Sequence, residues 1–79
     1  MTTSRNLEQF SAQEAFELFR STQTALQQGG RSESEIAEFQ SVKAAAVERM
    51  KAACAGSPKD LAYYQALVHN MDYLAWPKA

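Results

Sequence analysis

One cysteine, one histidine, one tryptophan, two prolines and three glycines are scattered through 79 residues. Each scarcity excludes something. Cys54 has no second cysteine with which to form an internal disulfide. One histidine and one cysteine are too few for a structural zinc site, which takes four His or Cys ligands. Neither charge sign dominates: eight basic residues face nine acidic ones, for a net charge of −1. That balance supplies no clustered Lys and Arg with which to hold a phosphate backbone, so a nucleic-acid partner is not expected. No apolar run approaches the ~20 residues of a membrane span, so no membrane partner is expected either. The opening MTTSRNLEQF lacks the basic start and apolar segment of a signal peptide, and the expected location is the cytoplasm.

A chain this short forms one domain and buries only about 60–65% of its unfolded surface. Without a staple, a core of that size supplies about 3–5 kcal/mol. Close helix packing or self-association has to make up the difference.

What the sequence does contain is helix punctuation. Residues 1–6 are polar and expected to fray. Ser11-Ala-Gln-Glu14 and Ser32-Glu-Ser-Glu35 each read as a capping box, in which serine and glutamate satisfy each other's backbone N–H. Ser57-Pro58-Lys59-Asp60 is a third start, with proline at the first helical position and an acid in the first turn. Gly29-Gly30 and Gly56 are stops. Pro77 disfavours helix at the residue before it. The expectation is an all-α chain, residues 1–79 as a single domain, with helices at about 11–28, 33–55 and 58–76. These form a small three-helix bundle, or an opened helical hairpin plus a third helix, that self-associates.

Apolar residues mark one stripe on each of the first two helices: Ala12, Ala15, Phe16, Phe19 and Leu26, then Ile36, Phe39, Ala46, Val47, Met50, Ala53 and Cys54. Lys43 falls near the middle of the second stripe. Its expected reading is a snorkelling lysine, since no partner for a buried ammonium is evident in the sequence. The third helix is apolar nearly all round. Leu61, Tyr64, Leu67, Val68, Met71, Leu74 and Ala75 form a core side, while Ala62, Ala66, Tyr73 and Trp76, with His69 among them, lie nearly opposite. A domain of three helices can bury only one of those sides completely.

The surplus side carries the functional expectation. Tyr and Trp are the residues most enriched at interface hot spots. Tyr63, Ala66, His69, Tyr73 and Trp76 are therefore the expected partner-binding residues. The partner is another protein, with a homodimer through the third helix as one form of the contact. The expected role is a non-enzymatic protein-binding module of inhibitor, adaptor or chaperone type. The alternatives are a structural homo-oligomer and, further off, a nucleic-acid-associated regulator. No catalytic residue, metal ligand or cofactor is expected. Cys54 sits on a core stripe away from any base. His69 and Asp72, three residues apart, read as a surface hydrogen bond.

Overall fold

The computed structural model describes residues 7–77, and the expected fraying of residues 1–6 lies outside them. The element order is a single 3-10 turn at Leu7–Gln9, then α1 (Ala12–Gln28), α2 (Glu33–Ala53) and α3 (Pro58–Met71). All regular structure among the described residues is helical.

Each start is built by the residues the sequence marks. The Ser11 hydroxyl accepts from the N–H of Glu14 at 3.1 Å, and the Glu14 carboxylate accepts from the N–H of Ser11 at 2.9 Å. Ser32 and Glu35 repeat the arrangement at 3.2 and 3.0 Å. Ser57 caps α3 through the N–H of Asp60. Between α1 and α2 the chain reverses through Gly29 and Gly30, with φ of 75° and 76°. A Cβ at either glycine would meet no neighbour within 4 Å, so it is the backbone conformation that calls for glycine here.

The α1/α2 hairpin is the principal interface, and α3 packs against both helices more sparingly. The result is a slab of 37 × 33 × 14 Å. That is flatter than three helices clustered around one axis, and it matches the opened hairpin with a third helix. The core sits where the elements cross. Ala15 and Phe19 come from α1, Ala46, Val47 and Met50 from α2, Val68 from α3, and Trp76 from the segment beyond it. Thr22, also buried, spends its hydroxyl on the Leu18 carbonyl at 2.8 Å.

Several expectations are corrected. α3 ends at Met71, five residues before Trp76. Asp72 takes an extended conformation (φ −157°, ψ 93°), and the chain turns back from there. Trp76 is therefore no part of an outward helical face: it is 7% exposed and belongs to the core. Leu74, expected inside, is 73% exposed because it lies in the turn rather than on the helix. Ile36 and Ala53 are also exposed, so the buried stripe of α2 is confined to its middle, from Lys43 to Met50, with Cys54 just past its end.

Candidate functional site

α3 and the segment after it hold every residue expected to bind a partner. Tyr63 is 59% exposed and Tyr73 61% exposed. Between them on α3, Asn70 is exposed and Ala66 is half-buried, and Ala62, just before Tyr63, is exposed. His69 is also half-buried, with the Tyr73 ring edge-on to it at 6.3 Å between centroids. Its Nδ1 is buried without a hydrogen-bond partner. Of the expected residues, Tyr63 and Tyr73 are thus exposed, Ala66 and His69 are partly covered, and Trp76 lies apart in the core.

Adjacent tyrosines divide the labour. The Tyr63 ring is outside and packs edge-on to Tyr64 at 5.1 Å. Tyr64 turns inward against Phe16 at 6.2 Å, and its hydroxyl donates to Gln13 Oε1 at 3.2 Å. Burial pushes the Tyr64 phenol above its ordinary pKa, with Cys54, Tyr63 and Asp60 adding to the rise.

The residue that sequence reasoning missed is Asp72. Its N–H still donates to the Val68 carbonyl at 2.8 Å, closing α3. Its Oδ1 accepts from the N–H of Leu74 at 3.2 Å, and its carbonyl accepts from the N–H of Ala75 at 3.0 Å. Its Oδ2 accepts from Lys43 Nζ at 2.8 Å. An aspartate side chain that bonds the backbone two residues on competes with helix continuation. The expected His69–Asp72 bond gives way to these contacts. Lys43, 5% exposed, does not snorkel to water: its ammonium meets Asp72 and lies 5.6 Å from the Phe19 ring centroid. The hydrogen bond from Lys43 holds the Asp72 carboxyl below its ordinary pKa, with the Leu74 and Ala75 N–H groups reinforcing it against burial.

Beyond Asp72 the chain runs back beside α3. The Pro77 carbonyl accepts from Gln65 Nε2 at 3.2 Å, and Lys51 Nζ stands 5.5 Å from the Trp76 ring centroid. A cavity of about 360 Å³ remains between this segment and α2, lined by Gln40, Lys43, Ala44, Asp72, Leu74 and Ala75. The only sequence signal for this arrangement is a lysine set in an apolar stripe, which asks for a counter-charge without saying where it is.

The remaining reactive groups are placed for packing. Cys54 is buried, and burial with the nearby Asp60 raises its thiol pKa, which keeps the thiol protonated and poorly nucleophilic. Among the described residues, no three of His, Cys, Asp and Glu gather in a way that could hold a metal ion. Among them, too, no helix is long and apolar enough to cross a membrane. Compared with protein-family models, curated proteins and solved structures, the chain matches none.

Proposed function

We propose that the protein is a non-enzymatic binding module that engages another protein through the outer side of α3. The observation that carries this reading is the pair of exposed tyrosines, Tyr63 and Tyr73, with half-buried Ala66 and exposed Asn70 between them along α3 and exposed Ala62 just before Tyr63. Rigid aromatic rings flanking small residues let a second helix approach closely while the rings close around it. Tyrosine contributes large contact area at low conformational cost.

The test compares the wild-type protein with Tyr63→Glu and Tyr73→Glu as baits in a native lysate. Wild type should retain a protein that both variants lose, with helical content unchanged by circular dichroism. Equal retention by all three baits removes the surface from consideration.

A second reading, a structural oligomer of this chain alone, is favoured by the smallness of the core. Among the described residues, seven buried apolar side chains form its central cluster, and a single cysteine leaves no internal disulfide to staple them. Sedimentation across a range of concentrations separates the two readings, since the structural oligomer requires a dimer or higher species and captures nothing.

A further inference from the structure

We propose that the cleft between α2 and the segment after α3 is a binding site for a small zwitterion with an aliphatic body, an α-amino acid of the leucine class. The proposal stands apart from the reading of α3 as a protein-binding surface, since it uses neither Tyr63 nor Tyr73.

The first observation is the ion pair on the wall of the cleft. Lys43 and Asp72 both line the cavity of about 360 Å³. The Lys43 side chain is 7% exposed, and its ammonium meets Asp72 Oδ2 at 2.8 Å. An ammonium carries three N–H donors. Among the described residues Lys43 donates to Asp72 alone, and Phe19 offers it only the face of a ring, 5.6 Å away. The cleft is where the remaining donors of this nearly buried cation can be met. A carboxylate has about four acceptor positions. Lys43 and the N–H groups of Leu74 and Ala75 take up part of that capacity on Asp72, which leaves room for a further donor. A buried ion pair is often no more stabilising than well-packed apolar residues of the same volume. Stability alone therefore does not account for a lysine at this position.

The second observation is charge balance. A lone anion drawn to Lys43 is repelled by Asp72, and a lone cation drawn to Asp72 is repelled by Lys43. A zwitterion that turns its carboxylate to Lys43 and its ammonium to Asp72 meets opposite charge twice. An α-amino acid carries both groups on one carbon, at a separation comparable with the 2.8 Å between Lys43 Nζ and Asp72 Oδ2. Hydrogen bonds between charged groups are the strong ones, and they gain strength where water is partly excluded.

The third observation is the shape of the rest of the cleft. Ala44, Leu74 and Ala75 make its remaining walls apolar, and Gln40 adds one amide. The volume falls at the lower end of the range of small-molecule sites, about 300–1,000 Å³. Leu74 is 73% exposed, and an aliphatic chain laid in the cleft would cover it. Ala44 follows Lys43 on α2 and is itself exposed, so its small side chain keeps the cleft open on that side.

The probe is L-leucine, titrated into the full chain and followed by backbone amide NMR. Saturable shifts should appear at Gln40, Lys43, Ala44 and residues 72–75. Isovalerate keeps the carboxylate and the aliphatic body, and isoamylamine keeps the ammonium. Each should bind about tenfold more weakly or worse, the loss expected for one charged hydrogen bond. Lys43→Met should weaken leucine binding by a similar factor. Ala44→Leu fills the cleft from an exposed helical position and should abolish binding with helical content unchanged. Absence of saturable shifts with leucine overturns the proposal. So does leucine binding that survives Ala44→Leu, which puts the ligand elsewhere. So does isovalerate or isoamylamine binding as tightly as leucine, which removes the need for both charges. If Lys43→Met loses helical content, Ala44→Leu and the two single-charge probes decide the matter. None of these results bears on capture through Tyr63 and Tyr73, so either reading can fail alone.

Discussion

Lys43 and Asp72 meet at 2.8 Å across 29 residues of sequence, tying the middle of α2 to the residue at which α3 ends. The lysine side chain is almost fully buried, and the aspartate's is 24% exposed. The two sides of the pair therefore respond differently to removal. Asp72→Ala strands a buried ammonium and should cost about 2–3 kcal/mol, the low side for a broken buried pair because Asp72 is partly solvated. Lys43→Met replaces the ammonium with an apolar chain of similar length and leaves a carboxylate that water can reach; it should cost about 1 kcal/mol or less. Urea denaturation of the two variants checks the order. The reverse ranking would mean that the lysine stem, rather than its charge, holds the site.

The same pair sets an acid limb of stability. The folded-state pKa of Asp72 lies below its unfolded value. Its contribution is therefore fully present above the unfolded carboxylate value of about 3.9 and is lost as the pH falls through the lower folded value. Asp72→Asn should flatten that part of the stability curve while leaving the neutral-pH slope alone. An unaltered acid limb in Asp72→Asn would assign it to other carboxylates.

Trp76 marks the boundary of what local sequence can show. The capping boxes at Ser11 and Ser32 and the proline start at Pro58 are encoded within four residues each. α1 and α2 accordingly lie within two residues of their expected limits. The end of α3 is set at Asp72, which bonds the nearby Leu74 N–H and the distant Lys43, and helical periodicity carries no information about a partner 29 residues away. Trp76 consequently looks like an interface anchor on a helical wheel and is a core residue in the fold. Tyr63 and Tyr73 are exposed, whereas Ala66 and His69 are half-buried.

Trp76→Ala therefore tests the core. Removing a buried tryptophan costs about 3–5 kcal/mol, comparable with the whole stability of a domain this small. Thermal melts should show a large fall in midpoint or loss of the transition. Retention of a wild-type midpoint would place the ring at the surface after all.

The α2 cap offers a sharper local check. Ser32 lowers the Glu35 pKa through the backbone N–H and hydroxyl that the carboxylate accepts from. Ser32→Ala should cost about 1 kcal/mol, as cap removal generally does. In an NMR titration the Glu35 carboxyl should also move back up towards its ordinary value, although part of the backbone contribution can persist. A stability loss with no movement of Glu35 would locate the effect elsewhere in the α1/α2 turn.

Cys54 should be protected by folding. Its thiol is buried and its pKa raised, first by desolvation and then by Asp60, so both access and thiolate fraction are reduced. Reaction with an aromatic disulfide reagent should be slow in the native protein and fast in denaturant. Since the unfolded thiol ionises first as pH rises, stability should also decline above about pH 8.5, and Cys54→Ala should remove that decline. Rapid native-state labelling, matching the unfolded rate, would show that the α2/α3 junction opens freely.

Tyr63 and Tyr64 sit side by side in sequence and should give opposite results. Tyr63 projects into solvent, and Tyr63→Ala should change stability by no more than about 0.5 kcal/mol, the usual range for a surface site. Tyr64 spans α3 and α1 through Phe16 and Gln13, so Tyr64→Ala should cost about 3 kcal/mol, near the lower end for large aromatic truncations because the ring is only half-buried. Tyr64→Phe, which removes just the bond to Gln13, should cost about 0.5–1 kcal/mol. The same three proteins measured as baits separate stability from binding. Tyr63→Ala should lose its partner while keeping its melting midpoint, and Tyr64→Phe should keep the partner while melting slightly earlier. If partner retention instead tracks stability across the three, binding depends on the integrity of the fold and not on the outer side of α3.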